Sequence, residues 1–135
     1  MYHKILGRIA VVVSVLLLTL AISVSLHAGE KAYKDLTVEQ VKAKLDAKEK
    51  FTLVDVRTKE EWKEDGHIKG AFLMPVQELE SHFRHLDKDA EIVVYCRSGK
   101  RSAKAAEILT TNGYKNVSNM TGGIMEWKAK GYPVK

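Results

Sequence analysis

Cys96 is the only cysteine in a chain of 135 residues. It opens the segment Cys96-Arg97-Ser98-Gly99-Lys100-Arg101-Ser102, which holds a glycine, three cations and two hydroxyls but no carboxylate. Upstream, Ile92-Val93-Val94-Tyr95 is a continuous apolar, largely β-branched run that reads as a buried strand. Downstream, Ala105, Ile108 and Leu109 fall at helical spacing in an alanine-rich stretch. A strand therefore delivers the thiol into a short loop at a helix N-terminus. The first N–H groups of a helix lack internal partners, and the peptide dipoles place partial positive charge there. Loop N–H groups converge into an anion-binding nest, and Arg97, Lys100 and Arg101 add full charges. All of this favours the thiolate, so Cys96 is expected to ionise below the ~8.5 of a free cysteine. Such a thiolate suits covalent, nucleophilic chemistry. A cysteine buried for packing alone needs no cationic loop.

The elements that position this loop follow from capping signals and periodicity. Thr37 and Gln40 form a capping box, and Val38, Val41 and Leu45 give an apolar face, which predicts a helix over 38–47. Residues 51–56 read as a strand, and a second capping box, Thr58 with Glu61, starts a short helix over 59–64. A strand over 71–74 is stopped by Pro75. Leu79, Phe83 and Leu86 suggest a helix over 77–86. The helix after the Cys96 loop runs over 101–112 to Gly113, a strand covers 117–120, and a last helix covers 123–130 up to Gly131. An edge strand is expected near Tyr33. Strands alternating with helices predict a parallel, doubly wound α/β sheet, with the site outside the carboxyl ends of the strands. Cys96 and Asp55 both fall at such ends.

Other residues have a chemical and a packing reading. Asp55 and Arg57 either line the site or form an ion pair that holds a loop, and the ion pair is preferred. His67, between Gly66 and Ile68, reads as loop packing rather than a general base. His82 and His85 read as a solvated helix face. Trp62 and Trp127 read as core or rim packing. Gly122-Gly123 serves backbone geometry before the last helix, with closure over the site as the alternative. The five histidines show no metal-ligand spacing, and one cysteine offers a metal no partner, so neither metal nor cofactor is expected.

Three stretches carry a resemblance. Cys-Arg-Ser-Gly-Lys-Arg-Ser at 96–102 resembles the active-site loop of single-domain rhodaneses, the thiosulfate sulfurtransferases. Leu-Val-Asp-Val-Arg-Thr-Lys-Glu-Glu-Trp at 53–62 and Gly-His-Ile-Lys-Gly-Ala at 66–71 are similar to that family's first signature. Met-Thr-Gly-Gly-Ile-Met-Glu-Trp at 120–127 is similar to its C-terminal one. The resemblance spans residues 33–134. It implies a central parallel sheet flanked by helices on both faces and a sulfurtransferase acting through a Cys96 persulfide. Sulfane sulfur would pass from thiosulfate to cyanide or a thiol, with Arg97, Ser98, Gly99, Lys100, Arg101 and Ser102 binding the donor. Three readings compete. A polysulfide-sulfur carrier would use the same loop. A cysteine phosphatase wants arginine six positions after the nucleophile, where this chain has Ser102; Arg101 comes one residue early, so the loop is one residue short. A non-catalytic sulfur-binding or redox-sensing module would also keep the cysteine, and turnover with thiosulfate and cyanide discriminates it.

The N-terminus carries Lys4 and Arg8 and then an 18-residue uncharged, apolar run over 9–26. A short basic region before an apolar run is a secretion signal, and 18 residues also just span a bilayer. Residues 1–28 are therefore expected to be a signal peptide or an N-terminal membrane anchor, and residues 29–135 the rhodanese-like domain. Cleavage after Ser25, with Ser23 three positions back, fits the small-residue pattern better than cleavage after Ala28. Both forms place the domain outside the cytoplasm, in the periplasm or on the periplasmic face of the inner membrane. Without Lys4 and Arg8, 20 of the 22 basic residues face 17 acidic ones, a net of +3. That is not the footprint of a nucleic-acid binder. The expected partners are a small-molecule sulfur donor and a thiol or cyanide acceptor, with membrane contact only for the uncleaved form. Composition carries no signal for an oligomeric state.

Overall fold

The structure is a computed structural model that describes residues 29–135, within which Ala32–Lys135 form one compact unit. The expected signal or anchor lies outside the described residues. Among the described residues, no helix is long and apolar enough to cross a membrane.

Five parallel strands make one sheet in the order β1-β5-β4-β2-β3. They are β1 (Lys34–Leu36), β2 (Thr52–Asp55), β3 (Phe72–Leu73), β4 (Ile92–Tyr95) and β5 (Val117–Met120). The helices are α1 (Val38–Asp46), α2 (Lys59–Glu64), α3 (Leu79–His82), α4 (Lys100–Thr111) and α5 (Gly123–Ala129). β4 is central, pairing with β2 from Thr52↔Ile92 to Asp55↔Tyr95 and with β5 from Ile92↔Val117 to Val94↔Asn119. Its four residues are all buried, as a strand covered on both faces requires.

Successive side chains of a strand point to opposite faces, and β4 sorts its residues into two cores accordingly. Ile92 and Val94 join Val54, Val56, Leu79, Ala105, Ala106 and Leu109, beneath α3 and α4. Val93 and Tyr95 join Val38, Val41, Leu53, Ile124 and Trp127, beneath α1 and α5. Cys96 continues the parity of Ile92 and Val94 and joins the first core. Strand periodicity thus aims the thiol at the face that carries α4.

Both expected capping boxes form. Thr37 Oγ1 accepts from Gln40 N at 3.2 Å while Thr37 N donates to Gln40 Oε1 at 2.8 Å. Thr58 Oγ1 accepts from Glu61 N at 3.2 Å while Thr58 N donates to Glu61 Oε2 at 3.0 Å. The helix expected over 77–86 is replaced by α3 and a 3-10 turn over Phe83–His85. The N-cap of α3, Glu78, makes no side-chain cap, and the Tyr114 hydroxyl donates to the Phe83 carbonyl at 2.6 Å, so tertiary contacts satisfy the carbonyl that a continuing helix would use. The third strand is two residues rather than four, ending before Pro75 at the sheet edge. The edge strand near Tyr33 exists as β1, beside β5.

Candidate active site

Cys96 directly follows β4 and is 1% exposed. The chain then turns through Arg97, Ser98 and Gly99 and enters α4 at Lys100, one residue earlier than the periodicity predicts. Gly99 makes the turn possible with a φ of 100°, in the left-handed region, and a Cβ there would stand 3.4 Å from Gly122 N. The turn brings donors to the sulfur. Gly99 N–H donates to Cys96 Sγ at 3.1 Å, and the Ser102 hydroxyl, one turn into α4 and fully buried, donates at 3.4 Å. Burial pushes the thiol's pKa up and is the largest single influence. The Ser102 hydroxyl and the N–H groups of Ser102, Gly99 and Ser98 together outweigh it, so the thiol sits below its ordinary value.

A second helix holds the loop from the other side. At the start of α5, Ile124 N–H donates to the Cys96 carbonyl at 2.9 Å and Met125 N–H donates to the Arg97 carbonyl at 3.1 Å. The backbones approach so closely that a Cβ on Gly123 would lie 2.3 Å from the Arg97 oxygen and 2.6 Å from the Cys96 oxygen. Gly122-Gly123 therefore fits the loop against α5. On β5, buried Asn119 directs Nδ2 to the Gly99 carbonyl at 3.4 Å, and its Oδ1 has no hydrogen-bond partner among the described residues. A polar side chain in a strand that must be buried was the available signal for Asn119, and the sequence reading passed over it.

The loop's cations divide. Arg97 and Lys100 are exposed, as is Ser98. Arg101 is half-buried and forms a bidentate ion pair with Glu61 of α2, with Nη1 to Oε2 and Nη2 to Oε1 both at 2.7 Å. Sequence reasoning saw Glu61 only as a capping residue; no local pattern announces a partner 40 positions away. Arg101 also holds the Glu61 carboxyl down at about 2, against 4.5 ordinarily.

Asp55 and Arg57 form a fully buried pair. Arg57 Nη2 donates to Asp55 Oδ2 at 2.7 Å and to the Gly66 carbonyl at 2.7 Å, and Nε bridges both Asp55 oxygens at 3.0 and 3.1 Å. Arg57 Nη1 lies 4.0 Å from Asp65 Oδ2. The pair fastens the loop after α2, the role that the ion-pair reading assigns it. His67 stacks on Trp62 with ring centroids 3.5 Å apart and planes 8° from parallel. Trp127 is buried in the core, its Nε1 donating to the Pro133 carbonyl at 3.0 Å. Among the described residues, no group of three or more His, Cys, Asp or Glu side chains is placed to hold a metal.

A parallel sheet that delivers a lone thiol into a nest of N–H donors, opposite a basic rim, defines a class of sulfur-handling domain. The chain belongs to the rhodanese-like domain family, whose model matches residues 37–130. It is 35% identical over 100 residues to a protein of Allochromatium vinosum named "Sulfurtransferase", covering 74% of this chain and 92% of that one. It is 35% identical over 106 residues to the Bacillus subtilis "Putative sulfur carrier protein YrkF", covering 77% of this chain but only 57% of that protein's length. A rhodanese-related protein of Thermoplasma volcanium superposes with a TM-score of 0.68 at 32% identity, over 76% of this chain and 98% of the other. The family is one of rhodanese-like sulfurtransferases and sulfur carriers, and the all-parallel sheet with helices on both faces agrees with its fold.

Proposed function

We propose that the protein is a thiosulfate sulfurtransferase that carries sulfane sulfur as a Cys96 persulfide and passes it to cyanide or a thiol. The observation that carries this reading is the convergence of Gly99 N–H and Ser102 Oγ–H on Cys96 Sγ, which stabilises an anionic sulfur at that point. The Cys96 thiolate attacks the outer sulfur of thiosulfate. The new bond is Sγ–S, the broken bond is the S–S bond of thiosulfate, and sulfite leaves with the electron pair. The persulfide's terminal sulfur keeps one negative charge. Cyanide or a thiolate then attacks that sulfur, the Sγ–S bond breaks, and Cys96 thiolate returns with thiocyanate or a new persulfide as product. No proton transfer is needed in either step. Arg97 and Lys100 supply the positive field for the dianionic donor, while Arg101 is largely neutralised by its pair with Glu61.

The same chemistry serves a polysulfide-sulfur carrier, and the name of the Bacillus subtilis relative favours keeping that second reading. The loop length speaks against a phosphatase, since Ser102 stands where a phosphoryl-clamping arginine belongs and its hydroxyl is turned onto the thiol instead. The reading includes export. Lys4, Arg8 and the uncharged run over 9–26 support it, and cell fractionation with N-terminal sequencing tests it; a soluble cytoplasmic protein that keeps Met1 would refute it. For the chemistry, thiosulfate treatment followed by intact-protein mass spectrometry should show one added sulfur atom that cyanide removes. Cys96→Ser should show neither adduct nor turnover. Full turnover in that variant rules out the persulfide.

A further inference from the structure

We propose that Glu61 governs how much positive charge the active-site loop presents, holding Arg101 as a positioning group and leaving Arg97 and Lys100 as the cations that a donor meets directly. The inference rests on the sulfurtransferase reading for its kinetic consequence, but not for its electrostatic one.

The geometry is that of a clamp. Glu61 Oε2 accepts from both Thr58 N at 3.0 Å and Arg101 Nη1 at 2.7 Å, while Oε1 accepts Arg101 Nη2 at 2.7 Å. One carboxylate thus closes the N-terminus of α2 and fixes the second residue of α4. Planar, bidentate pairs are among the more strongly oriented side-chain contacts. Arg101 cannot turn to a donor without breaking two short bonds, and the charge of the pair sums to zero. No ion pair holds Arg97 or Lys100 among the described residues.

Its hydrogen bonds to Glu61 chiefly favour the charged form of Arg101, and a Cys96 thiolate and Asp55 act on it in the same sense. The charged groups around the thiol are Arg97, Lys100 and Arg101 on its own loop, Glu61 on α2, and the Asp55–Arg57 pair at the end of β2. On the α5 side Glu126 folds back over Gly122. Of these, Glu61 is the anion whose only ion pair among the described residues is with a cation of the Cys96 segment.

An unopposed Arg101 would deepen the thiolate well and tighten every bound anion, sulfite included. Binding the donor and the leaving group more tightly lowers KM without raising kcat. A thiolate of lower pKa is also intrinsically less nucleophilic. Glu61 therefore moderates affinity for dianionic donors and preserves turnover.

Glu61→Gln is the discriminating variant because glutamine keeps the capping box. The experiment uses the full chain, with thiosulfate and cyanide as substrates and the pH dependence of iodoacetamide alkylation as the probe of the thiol. In Glu61→Gln the thiol pKa should fall by about half a unit to one unit, KM for thiosulfate should fall about 3- to 30-fold, and kcat should not rise. Glu61→Gln combined with Arg101→Gln restores a neutral pair, so both quantities should return towards wild type. A purely structural Glu61 would leave the thiol titration unmoved or raise pKa and KM together, and either result overturns the proposal. A double variant that stays shifted does the same. Should Glu61→Gln not fold, Arg101→Gln alone must raise the thiol pKa and KM, since it leaves Glu61 unopposed; no change there overturns the proposal. If the wild type does not turn over thiosulfate, the alkylation arm still decides the electrostatics while the sulfurtransferase reading fails separately.

Discussion

Replacing Ser102 by alanine removes the hydroxyl that meets the thiol sulfur and leaves the Gly99 N–H in place. The hydroxyl lies 3.4 Å from Sγ, against 3.1 Å for Gly99 N, and its side chain is fully buried, so bulk solvent does not reach the vacated position. A hydrogen bond to a charged acceptor contributes about 1.5–3 kcal/mol. This one is long and the neutral thiol also accepts it weakly, so the difference between thiolate and thiol is about 0.7–1.5 kcal/mol. At 1.36 kcal/mol per unit, the thiol pKa should rise by about half a unit to one unit. Below that pKa the thiolate population falls about 3- to 10-fold, but a more basic thiolate is more nucleophilic, with a Brønsted coefficient of about 0.4–0.5. The two effects leave alkylation by iodoacetamide about 2- to 4-fold slower on the acid limb and about 2- to 3-fold faster on the alkaline plateau. The assay is alkylation rate against pH, followed by intact mass, for wild type and Ser102→Ala. A midpoint that stays put or moves down, with no crossing of the two curves, would refute the claim that Ser102 stabilises the thiolate.

The exposed cations should matter electrostatically. Arg97→Ala and Lys100→Ala should each lower kcat/KM for thiosulfate by about 3- to 100-fold, less at high salt, in steady-state kinetics at two ionic strengths. Wild-type values in both would leave donor binding to the loop N–H groups. Gly123→Ala should lose about 2–5 kcal/mol in a denaturant titration, from a left-handed backbone and a Cβ driven onto the Arg97 carbonyl. The Glu61–Arg101 pair should show in acid. A carboxyl held at about 2 in the folded state, against 4.5 ordinarily, contributes stability that is complete above 4.5 and lost as pH falls from there towards about 2. The urea midpoint of wild type should therefore fall more steeply than that of Glu61→Gln across that interval, and parallel curves would count against the pair.

The parts of the fold that depend on neighbours in sequence were legible. Both capping boxes form because a threonine and a residue three positions later meet whatever the rest of the chain does. The thiol's nest was legible for the same reason: strand, tight turn and helix start are contiguous. Long-range contacts were not. Arg101 read as a third donor-binding cation because its own segment holds no carboxylate, and Glu61 arrives only when α2 packs beside α4. The short α3 was equally hidden, since the Tyr114 hydroxyl that binds the Phe83 carbonyl lies 31 residues away. His67 shows the opposite case, with its loop-packing role readable from its flanking residues and realised by the stack on Trp62.

Three helix N-termini meet around the loop, each with a different use for its unpaired N–H groups. That of α2 is closed by its own Glu61, whose two carboxylate oxygens also hold Arg101. That of α4 gives the sulfur its donors. That of α5 binds the carbonyls of Cys96 and Arg97 rather than an anion. The last arrangement also bears on the thiol. The Arg97 carbonyl and the Ser98 N–H belong to one peptide, and Ser98 N–H is among the groups that lower the thiol's pKa. A hydrogen bond from Met125 N–H to that carbonyl polarises the peptide and strengthens its N–H as a donor, by about 10–30% per bond. The positive end of α5 thus reaches the sulfur through one peptide unit, without presenting a donor of its own. The close approach at Gly123 is what permits it. Gly123→Ala should then raise the thiol pKa as well as lower stability, although the substitution touches neither the cysteine nor any charged group. A Gly123→Ala protein that is destabilised yet keeps the wild-type alkylation profile would show that α5 serves only to pack the loop.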